Sequence, residues 1–366
     1  MTPIRVAIVG LGNCASSLVQ GVTRYREAPS PAGLIQEHVG DYSVGDIEIV
    51  LGIDVDARKV GRDVSEAVFA KPNSTAVFQP NIPNLGAPTI MGRRLDGVAS
   101  HMADAGENGF IVDDAPEATH ESITEALRER QVDVLVNFLP VGSQKASEFY
   151  MTCALEAQVA VVNCIPVFIA SDPKWEARFR QKGLPIVGDD IKAQMGATVV
   201  HRMLSQLFAS RGVGVDHTYQ LNTGGNTDFM NMMDRDRLTS KKESKTQAVQ
   251  SALAERLADA DIVIGPAEYV PWQKDNKICF LRIEGEQFGG VPMHMEMRLS
   301  VEDSPNAAAC VVDAIRYCRL AIERGEAGAL TGPSAYYCKH PPQQMPEEQA
   351  EKLLAAQYGA YSCAAE

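Results

Sequence analysis

The chain has 366 residues, 45% of them hydrophobic, which is more than one core usually serves and predicts two structural units. With 34 basic against 47 acidic residues its formal net charge is -13, which argues against nucleic-acid and anionic membrane partners, since both are polyanions. Small anions held in a local cationic pocket stay compatible with that balance.

Apolar runs such as 132–139 and 159–162 fall far short of the roughly 20 residues a membrane helix needs. Residues 1–21 read as strand, glycine turn and helix, not as a signal peptide, so a cytoplasmic protein without membrane attachment is predicted. Eight cysteines (14, 153, 164, 279, 310, 318, 338, 363) show no CxxC pair and no zinc spacing, and are expected as reduced structural thiols.

Residues 4–9 (IRVAIV) form a β-branched run that opens into Gly10-Leu11-Gly12-Asn13-Cys14-Ala15. Strand, tight turn and helix in this order suit a dinucleotide: the first glycine turns the chain, the second admits the pyrophosphate, and the helix start offers free N–H groups. A plain strand-to-helix turn would look the same. The ribose acid should end the next strand, residues 46–56, where Asp54 lies 44 residues beyond Gly10. The excess length is assigned to an inserted loop over 24–45, with Asp56 and Asp63 as substitutes for Asp54.

Residues 71–104 read as an irregular loop covering the cofactor. A helix over 121–130 leads into a buried strand over 132–139, and Ser143 is placed to cap the next helix. Tyr150 on that helix is a weak cofactor contact, with core packing as the alternative. Strands over 160–165 and 184–187 follow, the second ending in GDDIKAQMGAT, a turn rich in acids and small residues that suits a second ligand-facing loop. A helical period then continues to about residue 209. The unit boundary is placed near 195–212, with the dinucleotide unit over 1–200 and 311–366 and a catalytic and oligomerisation unit over 201–310.

In the second unit, strands are read over 215–222, 263–265, 278–284 and 291–300, and a long helix over 306–324. The stretch 221–245 is densest in chemistry. Its GGNTD loop offers backbone N–H groups, the Asn226 amide and the Asp228 carboxylate, a set able to bind phosphate or a metal. Lys241 and Lys245 stand at i and i+4 and converge on one ligand if the segment is helical, while Lys242 points elsewhere. A solvated basic face is the competing reading. Asp275-Asn276-Lys277 reads as a polar turn, and Asp303 or Ser304 as a helix cap.

Taken together, GLGNCASS, GDDIKAQMGAT, GGNTDFMNM, SKKESKTQAV, DNK, EDSPNAA and YYCKHPP, in that order, resemble the myo-inositol-1-phosphate synthase family in its short prokaryotic form. The resemblance implies an α/β fold, a Rossmann-type dinucleotide-binding domain plus an α+β catalytic domain with a mixed sheet, usually in a homotetramer. It implies NAD-dependent conversion of glucose 6-phosphate to inositol phosphate by oxidation, enolisation, intramolecular aldol closure and re-reduction. An ordinary NAD-dependent dehydrogenase of a phosphorylated sugar is the alternative.

Position by position, the resemblance carries catalytic roles to Lys241, Lys245, Lys277, Lys339 and Asp303. Lys241 and Lys339 are expected to transfer protons and stabilise charge around the C5 and C6 oxygens, and Lys245 and Lys277 to act at the C1 oxygen or phosphate. Cofactor contacts fall on Gly10, Gly12, Asn13, Cys14, Ala15, Asp54, Asp63, Tyr150, Asp190, Ala193, Asp228 and Lys241. Substrate contacts fall on Gln194, Gly196 and Asn226, because Ala193 replaces a serine common in relatives. A divalent or monovalent cation is expected near Asp228.

Overall fold

The computed structural model describes residues 2–253 and 255–359, so Cys363 and the last residues of the 311–366 segment lie outside the described residues. The strands are β1 (Ile4–Val9), β2 (Ile47–Asp54), β3 (Thr89–Met91), β4 (Val134–Asn137), β5 (Ala160–Asn163), β6 (Pro185–Val187), β7 (Gly214–Gly224), β8 (Ile262–Tyr269), β9 (Asn276–Gln287), β10 (Val291–Glu302) and β11 (Gly328–Ala329). The helices of the first half are α1 (Asn13–Glu27), α2 (Val64–Ala67), α3 (Ser100–Asp104), α4 (His120–Glu129), α5 (Gln144–Ala157) and α6 (Pro173–Gln181). Those of the second half are α7 (Ala197–Ser210), α8 (Thr227–Asn231), α9 (Thr239–Gln250), α10 (Asp303–Arg324), α11 (Thr331–Tyr337) and α12 (Glu347–Tyr358).

A 7-stranded sheet runs β11-β6-β5-β4-β1-β2-β3, with every pairing parallel. Every residue of β4, β5 and β6 is buried, as near-continuous apolar runs in a doubly covered parallel sheet require. On one face Leu18 and Val22 of α1 pack with Val311 and Ile315 of α10. On the other, Ile123, Leu127, Met151 and Phe179 of α4, α5 and α6 do the same. Strand order reverses between β1 and β4, which opens a crevice beyond their carboxyl ends.

The second sheet has 4 strands in the order β10-β9-β7-β8 and is mixed, with β7 parallel to β8 and antiparallel to β9. Phe208 of α7 covers Leu281 and Ile283 on one face. On the opposite face Leu221 and Phe280 oppose each other across β7 and β9 and stay 42% and 43% exposed. The chain then recrosses to the first sheet where β10 runs directly into α10.

Three local expectations are corrected. The insertion is shorter than 24–45, because α1 continues to Glu27, with Arg24 and Arg26 placed favourably in its last turn. The loop after it is pinned by the buried Arg316 guanidinium, which donates to the Gln36, Glu37 and Tyr42 carbonyls. The segment 71–104 contains β3, an edge strand too short for a periodic pattern. Ser143 does not cap α5; its hydroxyl donates to the Pro140 carbonyl, and Asp96 accepts the Lys145 and Ala146 N–H groups (both 2.8 Å) instead.

The C-terminal segment docks through a buried charge cluster. Glu347, at the start of α12, accepts two bonds from Lys192 Nζ (2.9 and 3.0 Å) and pairs with Arg202 of α7 (2.8 Å). No helix among the described residues is long and apolar enough to cross a membrane. The seven described cysteines are free.

Candidate active site

A cleft lies at the carboxyl ends of the parallel strands, lined by Gly10 and Gly12 after β1, Asp54 ending β2, Leu139 after β4, Ile165 after β5 and Asp190 after β6. Gly10 has φ +85°, and a Cβ there would sit 2.7 Å from the Phe138 carbonyl oxygen, so only glycine closes this turn. Gly12 precedes α1 with open space around it and no side-chain cap, which leaves the first-turn N–H groups free for an anion. Asp54 is held at the rim: its Oδ2 accepts the Leu11 N–H (2.7 Å) and its Oδ1 the Val55 and Asp56 N–H groups (2.7 and 2.9 Å). A glycine turn, an uncapped helix start and a strand-end carboxylate together fit a dinucleotide.

The far wall of the cleft comes from the second sheet and its helices. Asn226 caps α8, accepting the Asp228 and Phe229 N–H groups (both 3.1 Å). Asn13 bridges the two sides, taking the Ser74 and Thr75 N–H groups and donating to Thr227 (3.4 Å). Helix α7 starts at the cleft without a side-chain cap, and Ala193, Gly196, Ala197 and Thr198 line it there. Gly196 is required at that turn, since a Cβ would stand 2.7 Å from the Ala193 methyl.

Lys241, Lys245, Lys277 and Lys339 all reach this cleft, although they come from α9, β9 and the turn after α11. Three have their own carboxylate: Lys241 with Asp228 (2.5 Å), Lys277 with Asp303 (3.0 Å) and Lys339 with Asp190 (2.8 Å). Burial pushes the Asp303 and Asp190 carboxyls up, but the lysines beside them outweigh it and hold both below the usual range. Asp303 in turn keeps the Lys277 ammonium above its usual value against the opposing effect of burial.

Lys245 is different: it is 6% exposed and has no carboxylate partner among the described residues. Burial first, then the charges of Lys241, Lys277 and Lys339, pull it from 10.5 down to about 7. One buried lysine without a partner acid is thus poised to be neutral beside three that are each paired with a carboxylate.

Helix α9 presents Lys241 and Lys245 to the cleft at helical spacing, with Ser244 buried between them, while Lys242 is exposed as expected. Ser244 donates to Asp190 (2.7 Å); its position three residues after Lys241 was the available signal for it. Lys59 was also missed: it is buried, donates to the Leu11 carbonyl (2.8 Å) and lies 3.9 Å from Asp54. Tyr150 forms part of the cleft wall, and its hydroxyl accepts the Arg93 N–H (2.7 Å), a packing role as much as a contact. Cys14 faces the cleft beside Ser304, with burial and Asp275 pushing its thiol up to about 12.

Several expected residues do not reach the site. Asp63 caps α2 and accepts the Ser65, Leu85 and Ala87 N–H groups, so it holds a loop rather than a ribose. Asp56 is fully buried under the Arg58 guanidinium and the Ile111 N–H. Ala15 points into the core, where its small size lets α1 lie close to the sheet. Gln194 is exposed and donates to the Gly33 carbonyl (3.2 Å), away from the cleft. For the cation expected at Asp228, no group of three or more His, Cys, Asp or Glu side chains among the described residues is placed to hold a metal. The Asp228 carboxylate is paired with Lys241. Neither Asp303 nor Ser304 caps α10 with its own side chain, and Asp275 is no exposed turn residue but 1% exposed.

The sequence profile of the myo-inositol-1-phosphate synthase family matches residues 196–304, from the start of α7 to the start of α10. Over nearly its whole length the chain is similar to the inositol-3-phosphate synthase of Mycolicibacterium smegmatis, 49% identical over 358 residues and 96% of both chains. It is similar to that of Corynebacterium glutamicum at 47% identity over 361 residues, 96% of this chain and 97% of the other. Among solved structures, a myo-inositol-1-phosphate synthase-related protein from Thermotoga maritima superposes with TM-score 0.83 at 25% identity, covering 98% and 99% of the two chains. The inositol-3-phosphate synthase of Caenorhabditis elegans shares the fold, with TM-score 0.72 at 16% identity over 98% of this chain and 85% of that one.

Proposed function

The chain belongs to the inositol-3-phosphate synthase family, and from that premise we propose that it converts D-glucose 6-phosphate to 1D-myo-inositol 3-phosphate with NAD as a recycled oxidant. When bound, NAD supplies a hydride acceptor at the start of the reaction and a hydride donor at its end, with no net redox change. The chain's own part is to hold the cofactor, fix the phosphate, carry negative charge on successive oxygens, and move protons off O5 and C6 and back onto O1 and O5. Supporting this reading above all is one observation: four lysines from three separate elements meet beside the glycine turn, three paired with carboxylates and one not.

Gly10, Gly12 and the start of α1 would hold the pyrophosphate, and Asp54 the adenosine ribose. The uncapped start of α7, at Gly196, Ala197 and Thr198, suits the substrate phosphate, since its N–H groups and dipole favour an anion. No serine or Gln194 side chain is needed there.

Lys245 is assigned as the base that removes a proton from C6 once C5 is a ketone, because burial and the neighbouring cations bring it down to about 7. This moves proton transfer from Lys241 and Lys339, which the family resemblance had suggested, to a lysine without a partner acid. Lys241, Lys277 and Lys339, each paired with a carboxylate, are assigned to the oxyanions that develop at O5 and O1, where each fixed donor contributes about 2.7 to 4 kcal/mol.

We also assign the exposed face bearing Leu221 and Phe280 to subunit contacts in a homotetramer, which light scattering after size exclusion would measure directly. For the reaction, the protein is incubated with glucose 6-phosphate and NAD while absorbance and products are followed. Inositol phosphate forming without NADH accumulation is expected. Stoichiometric NADH without inositol phosphate would refute the synthase reading in favour of a sugar-phosphate dehydrogenase.

A further inference from the structure

Asp275 precedes β9, is 1% exposed and does not itself line the cleft. Its Oδ1 accepts the Asn226 Nδ2–H and the Ser304 hydroxyl (both 2.8 Å), and its Oδ2 accepts the Ser304 N–H (3.1 Å). Its backbone carbonyl accepts the Asp303 N–H (3.0 Å).

These bonds have directional consequences. With its amide nitrogen committed to Asp275, Asn226 must turn Oδ1 to the N–H groups of Asp228 and Phe229, which fixes the start of α8 and hence Asp228. At the same time Asp275 holds the first two residues of α10, and so Asp303. Asp228 is the partner of Lys241 and Asp303 that of Lys277. One buried carboxylate therefore stands behind two of the three lysine pairs.

We propose that Asp275 is a positioning residue of the synthase reaction: as a carboxylate it locks Asn226 and the start of α10 together and thereby sets the spacing of the Lys241–Asp228 and Lys277–Asp303 pairs. This rests on the reaction proposed above. The Asn226 amide N–H and the Ser304 backbone N–H can only donate and face one carboxylate oxygen each, so the ionised form alone satisfies both. Protonation places an O–H against a donor and loosens both pairs. The titratable groups facing it are Asp303 from α10 and the Cys14 thiol from α1. Burial, then the Asp303 charge, push the carboxyl up to about 6, so this lock opens in mildly acidic solution.

The test compares wild type with D275N, an isosteric change that sets an amide NH₂ against the surrounding donors. Inositol phosphate formation is measured from pH 5 to 8 at saturating NAD, alongside a thermal melt. Displacing two charged pairs is expected to lower kcat about a hundredfold at pH 7.5. KM for glucose 6-phosphate should stay within about threefold, because Asp275 itself makes no hydrogen bond to α7. In wild type, log kcat should fall with a slope approaching two below pH 6, one proton on Lys245 and one on Asp275; in D275N the slope should be one.

A D275N enzyme with kcat within threefold of wild type, or with the slope of two intact, overturns the assignment. Should D275N fail to fold, the wild-type profile decides alone: a slope of one down to pH 5 overturns it and a slope near two supports it. If wild type forms no inositol phosphate, the proposed reaction fails, and the same comparison made on NADH formation still judges Asp275 separately.

Discussion

Replacing Lys245 by methionine is expected to make the free protein more stable while abolishing its activity. In the folded chain its ammonium is drawn from 10.5 to about 7 by burial and then by three neighbouring cations. At roughly 1.4 kcal/mol per pH unit, holding Lys245 in the fold at pH 7 costs on the order of 4 kcal/mol relative to a solvated lysine. Methionine has a similar unbranched stem and removes that cost, less some packing mismatch, so a gain of about 2 to 4 kcal/mol is expected. The sign with pH is fixed by linkage. The unfolded chain holds the proton between about 7 and 10.5 where the folded one does not, so the cost is full below about 7 and fades as pH rises to 10.5. Urea unfolding without NAD or substrate, at pH 7 and again near pH 10, reads this directly. The control is K339M, which strands Asp190, 4% exposed in its side chain, and should cost about 3 to 5 kcal/mol. A K245M protein less stable than wild type at pH 7, or a gain that does not shrink toward pH 10, would refute the account of Lys245 as an unpaired buried base.

The same group governs rate: kcat is expected to rise with pH through about 7 as Lys245 loses its proton, which a pH series at saturating substrate measures. D54N should weaken NAD binding by about tenfold or more in a fluorescence titration, because an amide repels the Leu11 N–H it faces. D63A should leave NAD binding unchanged and lower the melting temperature, losing a helix cap worth about 1 kcal/mol. D96A should likewise cost about 1 kcal/mol through the start of α5, read by denaturation, with no change in NAD affinity.

Much of this architecture was legible in the residues because the signals are local. β1, its glycine turn and the start of α1 are written in consecutive positions, and the i, i+4 lysines of α9 needed only the helical period. What escaped was set by contacts distant in sequence. Asp63 and Asp54 look alike as acids near β2, and only the fold shows that one faces a loop and the other the cleft. Ser143 has the residue type of a cap, yet Asp96, close to fifty positions earlier, does the capping. Asp275 sits in a polar tripeptide that reads as an exposed turn, and nothing adjacent reveals that Asn226 and Ser304 close over it. The pairing of each lysine was hidden for the same reason: Lys339 and Asp190 are 149 positions apart.

That separation has a consequence for how the molecule comes into being. Cys14 meets Ser304 across 290 positions, and Gln36 meets Tyr337 across 301. During synthesis the early strands can pair as they emerge, but α10, a central cover of the first sheet, and Lys339 arrive only near the end of translation. Lys339 is therefore the last of the four cleft lysines in chain order, following every strand of both sheets. The cleft is thus complete only once residues late in the chain are in place, with Glu347 closing over Lys192 and Arg202.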